Sequence, residues 1–294
     1  MTIQHISETA LWVAMYRALE TERSDALFRD PWARRMAGSV GERIMRSMPF
    51  GEAMGWAMVV RTAVIDELVQ RCIGRGARCV VNLGAGLDTR AFRLDLPGDL
   101  HWIDVDLPEM VAYREENLLG ATPACQHRHI AADLNKPGPL HDVLGEAHEQ
   151  GGPILVLSEG LLVYLEPAQV AHLAIGLHAE AHARWWITDI ISPLLLATVG
   201  ASWQPRLARA GAALRFAPAD SADFFGKLGW RQAEFHPVWD AAGRLGRPAP
   251  MAWWWNSFGA VALPGGHASL RRMAGLTLLE HVQRPPSGTT SVVR

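Results

Sequence analysis

Glycines and acidic residues stand at the ends of four apolar runs in the sequence, and these residue types suit a nucleotide-like ligand. Glycine adopts positive φ angles and lets a ligand approach the backbone closely, because no Cβ atom intervenes. Carboxylates accept hydrogen bonds from ribose hydroxyls. The residues are Gly84 and Gly86 after RCVVNL, Asp104 and Asp106 in HWIDVD, Asp133 in RHIAADL, and Ser158-Glu159 after PILVL. Four such ends predict one shared binding site.

The pattern of apolar runs and helical segments predicts the elements that position these residues. Short continuous apolar runs are typical of buried parallel strands, and RWWITDI at 184–190 adds a fifth. Helical segments separate the runs; one begins near Pro108 and another covers 166–181. This alternation predicts a doubly wound α/β sheet with right-handed crossovers. Ligands bind such sheets at the carboxyl ends of the strands, where the glycines and acids stand.

Composition excludes several classes of function. The 294 residues carry a net charge of −2 with a pI near 6.6, whereas a nucleic-acid-binding surface needs a basic excess. The three cysteines form no CxxC pair, which argues against a disulfide framework or a zinc site. The N-terminal segment lacks a signal-peptide pattern, and the longest apolar run, about 14 residues around Pro193, is too short to span a bilayer. We therefore expect a soluble cytoplasmic protein without a metal that acts on a small molecule and binds neither nucleic acid nor membranes.

A nicotinamide dinucleotide is the first ligand to test against the glycine-containing turn. Its fingerprint is G-x-G-x-x-G with an acidic residue about 20 residues farther on. Asp106 lies 20 residues beyond Gly86, but Thr89 occupies the third glycine position. The missing glycine counts against close packing of helix and strand around a pyrophosphate, and hence against this cofactor.

Four motifs together resemble the leucine carboxyl methyltransferase family. They are NLGAGLDTR, VDLP, AADL and SEGLLVYL, in this order. The segments ETALWVAMYRALE, SDALFRDPWA and VVRTAVIDEL look like the bacterial branch of that family, which includes the polyketide carboxyl methyltransferase of tetracenomycin synthesis. The resemblance covers roughly residues 7–190. It implies the class I methyltransferase fold, which is a Rossmann-like doubly wound sheet, and S-adenosyl-L-methionine as the cofactor.

The resemblance also implies a set of cofactor contacts. They are Arg61 for the methionine carboxylate, Gly84 beside the methionyl moiety, Gly86 in the open turn, Asp106 for the ribose hydroxyls, Asp133 and Leu134 around the adenine, Glu159 near the methionine amino group or the reactive face, and Arg17 as a basic contact from the N-terminal region. Asp106 could equally cap the helix that follows it. Asp88 and Arg90 fit the motif and could lock the loop by a mutual ion pair.

Helical segments flank the predicted sheet in the sequence. We predict an N-terminal helical cap at 1–75, a cofactor-binding methyltransferase domain at 76–265 and a C-terminal extension at 266–294 whose end is disordered. Within the domain, 191–229 is predicted to be a helical lid insertion, and 230–238 with 251–263 a closing β-hairpin. The run Trp253-Trp254-Trp255 is predicted to lie mostly in the core, and cap and insertion together to exclude water from the reaction.

The predicted reaction is transfer of a methyl group to the carboxylate of a small metabolite. A carboxylate with a pKa near 4 is ionised at neutral pH and needs no general base. A phenol, with a pKa near 10, would need one. Glu159, Tyr164, His127 and His129 are the candidate catalytic residues. Methylation of a phenol or other hydroxyl is the alternative enzymatic reaction, and a non-catalytic protein that binds S-adenosyl-L-methionine is the alternative outside the enzymes.

Overall fold

The fold is built on one mixed β-sheet. The structure is a computed structural model that describes residues 8–134, 136, 138–179, 183–209, 211–257 and 265–282. The strands in these ranges are β1 Cys79–Leu83, β2 His101–Asp106, β3 Gln126–Ala131, β4 Ile154–Ser158, β5 Trp185–Ile191, β6 Trp230–Pro237 and β7 Ala274–His281. Their order across the sheet is β3-β2-β1-β4-β5-β7-β6. The first five run parallel, and β7 is antiparallel to both β5 and β6.

The order of the strands confirms the predicted doubly wound α/β fold. From β1 the chain adds β2 and β3 on one side and then returns to add β4 and β5 on the other. Every residue of β1 and β4 is buried, as expected for strands covered on both faces. The direction of winding changes between β1 and β4, and such a switch point is where open α/β sheets bind their ligands.

Helices cover both faces and one end of the sheet. Those in the described ranges are α1 Glu8–Thr21, α2 Ala33–Ser47, α3 Gly55–Gly74, α4 Arg90–Arg93, α5 Pro108–Asn117, α6 Pro139–Glu149, α7 Pro167–Ala179, α8 Pro193–Arg209, α9 Ser221–Gly226, α10 Val238–Arg244, α11 Ala252–Ser257 and α12 Gly266–Arg271. Single 3₁₀ turns occupy Glu52–Met54 and Leu162–Tyr164. None of these helices is both long enough and apolar enough to cross a membrane.

Three apolar clusters hold these elements together. Trp186 and Trp230 centre the cluster on one face of the sheet, and Trp102 and Trp185 centre that on the other. The third cluster joins α1, α2 and α3 to α8, with Trp203 of α8 among its buried members. The N-terminal helices and the segment after β5 therefore pack against each other above one end of the sheet.

The predicted closing hairpin is wrong in its second strand. The partner of β6 is β7, which lies between β6 and β5. Residues 252–257 form α11 instead, where Trp253 is 68% exposed and Trp254 is 37% exposed, so the predicted burial of the tryptophan run is also wrong. A run of aromatic residues resembles a buried strand in composition, but here it lies on an exposed helix. Residues 258–263 lie outside the described ranges.

The domain boundary predicted at residue 265 must move for the same reason. It separates β6 from β7, although these two strands pair along their length. Residues Leu276, Leu278 and Leu279 of β7 are buried, so the sheet extends to His281. The residues predicted to be disordered at the chain end, from 283 onward, lie outside the described ranges.

Candidate active site

A cavity of about 360 Å³ lies at the carboxyl ends of the parallel strands. Its lining comes from the turns after β1, β2, β4 and β5, from the segment after β3, and from α1, α3 and α8. Every residue that the family resemblance implies as a cofactor contact lines the cavity: Arg17, Arg61, Gly84, Gly86, Asp106, Asp133, Leu134 and Glu159. Tyr164 lines it as well. The structure thus brings together nine of the residues singled out in the sequence.

The turn after β1 depends on its two glycines. Gly84 and Gly86 have φ angles of 62° and 51°, a left-handed conformation that residues with a Cβ rarely adopt. A Cβ on Gly84 would also lie 3.0 Å from a methyl carbon of Leu161. The Gly86 amide donates to Oδ2 of Asp106 at 2.6 Å, and the Leu107 amide donates to Oδ1 at 2.7 Å. The turn therefore fixes the Asp106 carboxylate beside the exposed backbone.

Asp104 shares a strand face with Asp106 but has a different environment. It is 2% exposed and accepts hydrogen bonds from Asn82, Trp102 and Arg114 at 2.6 to 2.9 Å. Burial would raise the pKa of the Asp104 carboxyl, but Arg114 and His127 outweigh it and hold that pKa well below its usual range. Asp104 is thus an interior ion-pair residue, whereas Asp106 faces the cavity.

The structure does not bring His127 and His129 to the cavity, so their candidacy as bases there is wrong. Both lie on the face of β3 that is covered by α5, since alternate residues of a strand share a face. They pair in register with Trp102 and Asp104 of β2, short of the carboxyl end where Asp106 meets the cavity. His127 contacts Asp104 Oδ2 through Nε2 at 2.7 Å, and its ring packs edge-on against Phe92. Asp106 of β2 shares this face, so it is their position along the strand, and not the face, that keeps the two histidines away from the cavity.

Asp104, His127 and His129 together place three metal-ligand atoms within 4.8 Å of one another. A dication does not fit there, because the Asp104 oxygens already accept from three donors besides His127. The Arg114 guanidinium, 2.6 Å from Oδ2, would also repel it. This group is an interior hydrogen-bonded ion pair.

Glu159 lies between two arginines. Its Oε1 is 2.8 Å from Arg61 Nε and its Oε2 is 2.7 Å from Arg90. Burial would raise the pKa of Glu159, but Arg90 and Arg61 outweigh it and lower that pKa to about 2. Arg90 also pairs with Asp88 at 2.6 Å, which confirms the predicted ion pair of the loop. Glu159 therefore holds guanidinium groups and is a poor proton acceptor.

The ion pairs around Glu159 belong to one connected set of seven charged side chains. The set comprises Asp66, Asp88, Glu159, Asp189, Arg61, Arg90 and Arg93. Four carboxylates and three guanidinium groups give this connected set a net charge of one negative.

The leucine carboxyl methyltransferase family model matches residues 10–177, more than half of the 294 residues. The chain belongs to the leucine carboxyl methyltransferase family. It is 34% identical over 254 residues to a Streptomyces avermitilis protein, covering 82% of this chain and 88% of that one. It is also 34% identical over 260 residues to a Frankia alni protein, covering 82% and 87%. The names of both relatives assign them to the S-adenosyl-L-methionine-dependent methyltransferases.

Solved structures share the fold of this chain. A DUF574 family protein from Streptomyces avermitilis superposes with a TM-score of 0.59 at 13% identity, over 92% of this chain and 97% of that one. A Thermobifida fusca protein gives 0.57 at 15% identity, over 95% of each chain. The protein is thus an S-adenosyl-L-methionine-dependent methyltransferase of class I fold.

The cavity of this protein fits that cofactor. The glycine turn lines the cavity, and Asp106 offers carboxylate oxygens beside it. The cofactor carries a sulfonium, an ammonium and a carboxylate group and thus has a net positive charge, and the charged side chains that line the cavity, five carboxylates and three guanidinium groups, have a net negative one. Arg17 is buried, pairs with Asp30 at 2.8 Å and donates to the Leu87 carbonyl, which ties α1 to the glycine turn.

Asp189 lines the cavity and was missed in the sequence. It stands in β5, where its Oδ2 accepts from Arg61 at 3.1 Å and its Oδ1 from the Gly160 amide at 2.7 Å. The signal was present in RWWITDI, because an acid near the end of a fifth apolar run occupies the same sheet edge as the other four.

Proposed function

We propose that this methyltransferase transfers the methyl group of S-adenosyl-L-methionine to a carboxylate oxygen of a small apolar metabolite. The observation that supports a carboxylate acceptor is the lack of a suitable base: within the described ranges, no histidine lines the cavity. Burial raises the pKa of Tyr164 above its ordinary value, and that of Glu159 is about 2. A carboxylate is already ionised at neutral pH and needs neither residue.

The proposed cofactor contacts follow the cavity wall. Asp106 accepts hydrogen bonds from the ribose hydroxyls, and the glycine turn lies against the methionyl moiety. Arg61 takes the methionine carboxylate, because a guanidinium binds carboxylates with paired donors. Asp133 and Leu134 contact the adenine, and Arg17 holds the turn from the cap side. When bound, the cofactor supplies an electrophilic methyl group on a sulfonium.

The residues of this chain then act by binding and orientation. Aligning the acceptor oxygen behind the methyl group can supply several kcal/mol of the barrier, about 7–11 kcal/mol in the best-oriented cases. The net negative charge of the lining side chains favours the cationic sulfonium, and Glu159 keeps both arginines in place. No proton has to be removed from the acceptor, so the chain needs no proton relay.

The acceptor is proposed to be apolar because the rest of the cavity wall is. Trp12, Met58, Trp203, Leu207 and Leu214 line it, and the rings of Trp12 and Trp203 meet edge to face with centroids 5.1 Å apart. Aromatic and methionine side chains suit a bulky apolar ligand. The helices α1 and α8 that carry these tryptophans cover the cavity and would exclude water during transfer.

The bond that forms in the product tests this proposal. A methyl ester is cleaved by mild alkali, whereas a methyl ether of a phenol is stable to it. With a methyl-labelled cofactor and a panel of aromatic and aliphatic acids, we expect the label to leave the product as methanol on brief alkali treatment. The rate should stay flat from about pH 6 to 8, because no group of the acceptor titrates there.

Three results would contradict the proposal. Label that is stable to alkali would indicate a hydroxyl acceptor, and a rate that rises through a pKa near 6.5 would indicate a histidine base. Cofactor binding without turnover on any acid or phenol of the panel would indicate a non-catalytic binding protein.

A further inference from the structure

We propose that Asp189 is a positioning residue that orients Arg61 toward the cofactor's carboxylate. This inference rests on the proposed placement of the cofactor. Asp189 belongs to β5 and Arg61 to α3, and they are 128 residues apart in the chain. Asp189 acts through the guanidinium and need not touch the cofactor itself.

Two carboxylates hold the Arg61 guanidinium from different sides. Glu159 Oε1 is 2.8 Å from Arg61 Nε, and Asp189 Oδ2 is 3.1 Å from Arg61 Nη1. The three side chains are 13%, 14% and 17% exposed in the order Arg61, Glu159 and Asp189. A guanidinium has five N–H donors in one plane. Of these two contacts, the one to Asp189 is a hydrogen bond, whereas Glu159 contacts Nε as an ion pair without hydrogen-bond geometry. Asp189 thus directs one terminal N–H of the guanidinium and leaves other donors for a ligand.

Asp189 also fixes the surface on which the guanidinium rests. Its Oδ1 accepts from the Gly160 amide at 2.7 Å. Gly160 has a φ angle of 65°. A Cβ at Gly160 would lie 3.4 Å from Nη1 of Arg61 and 3.7 Å from Nη2. The arginine therefore lies directly over the glycine. One carboxylate thus sets both the edge contact of Arg61 and the position of the backbone beneath it.

The two oxygens of Asp189 have separable tasks, and this makes the inference testable. In Asp189→Asn, the amide oxygen can still accept from Gly160, but the amide nitrogen is a donor and cannot accept from Arg61. The variant should therefore keep the backbone turn and lose the orientation of the guanidinium. Thermal unfolding of the variant checks that the fold is kept.

Two ligands separate positioning from a general structural role. S-adenosylhomocysteine carries the amino-acid carboxylate, whereas 5′-methylthioadenosine lacks it. Measured by calorimetry, the affinity for S-adenosylhomocysteine should fall by about 10-fold or more in Asp189→Asn, the range for a hydrogen bond to a charged group. Binding of 5′-methylthioadenosine should change less than about 2-fold. Arg61→Ala should show the same selectivity, and adding Asp189→Asn to Arg61→Ala should cause little further loss.

The matched control is Glu166→Gln, which removes an exposed carboxylate that pairs with Arg215 on the surface and should leave both affinities unchanged. Equal weakening of both ligands by Asp189→Asn, or of neither, would overturn the inference. Wild-type protein that binds neither ligand would overturn the cofactor placement and the inference with it, so the two failures are distinguishable.

Discussion

At the scale of single residues, Asp104 and Asp106 show how much of a site a sequence can and cannot specify. The two carboxylates alternate along one strand and share a face, so their spacing gave no reason to separate a ligand contact from an interior residue. The difference arises from three donors elsewhere in the chain, at Asn82, Trp102 and Arg114, which surround Asp104 only once the sheet and α5 have assembled. Asp106, two residues farther along β2, lies beyond these donors and lines the cavity.

The two aspartates should therefore fail in different ways when replaced. Asp106→Ala should weaken the binding of S-adenosyl-L-methionine by about 10- to 150-fold, because the protein then lacks the charged acceptor for the ligand's hydroxyl groups. Asp104→Ala should instead lower the free energy of unfolding by about 3–5 kcal/mol, because it leaves the buried Arg114 without its partner. Calorimetry and urea unfolding measure the two effects. A larger loss of cofactor affinity in a stable Asp104→Ala variant would reverse the assignment.

At the scale of elements, the strands that are buried on both faces were predictable and the closing antiparallel pair was not. Continuous apolar runs ending in glycine or acid identify β1, β2, β4 and β5, since parallel strands need such runs. The second strand of the pair was misplaced because aromatic residues in MAWWW outnumber those in AGLTLLEH. Which of two apolar segments enters the sheet depends on pairing with β5 and β6, and local composition does not report that pairing.

Substitutions in the two segments should show this difference in stability. Leu279→Ala in β7 removes a fully buried side chain and should lower the free energy of unfolding by about 2–5 kcal/mol. Trp253→Ser on α11 alters a side chain that is 68% exposed and should change it by less than about 0.5 kcal/mol. Urea unfolding of both variants is the measurement. A cost at Trp253 equal to that at Leu279 would contradict the exposed position of α11.

At the scale of the whole molecule, the site is assembled from segments that are remote in sequence. Arg61 lies in α3, Glu159 in the turn after β4, and Asp189 in β5. They meet because the doubly wound sheet brings these elements to one edge. The resemblance of motifs indicated Arg61 and Glu159 individually. That they hold each other, and that a third carboxylate completes the set, depends on the packed fold.

The connected charges should make stability depend on pH in a defined direction. The pKa of Glu159 is about 2 in the folded protein, against an ordinary 4.5. A lowered folded-state pKa contributes stability above the ordinary pKa, and this contribution is lost as the pH falls toward the folded value. At about pH 7 the wild type should therefore have a higher urea midpoint than Glu159→Gln. This difference in midpoint should become smaller below about pH 4.5 and be clearly reduced at about pH 3. A constant difference would show that the charge of Glu159 does not stabilise the fold.

The position of β7 has a consequence for how the protein is made. β7 begins 83 residues after β5 ends, yet it is the strand that covers the free edge of β5. During synthesis the edge of β5, with Trp185, Trp186 and Ile187, has no partner on that side until β7 leaves the ribosome. An uncovered apolar edge is a template for pairing with other chains. The growing chain thus exposes an unpaired apolar strand edge until the segment that pairs with it, made 83 residues later, has emerged.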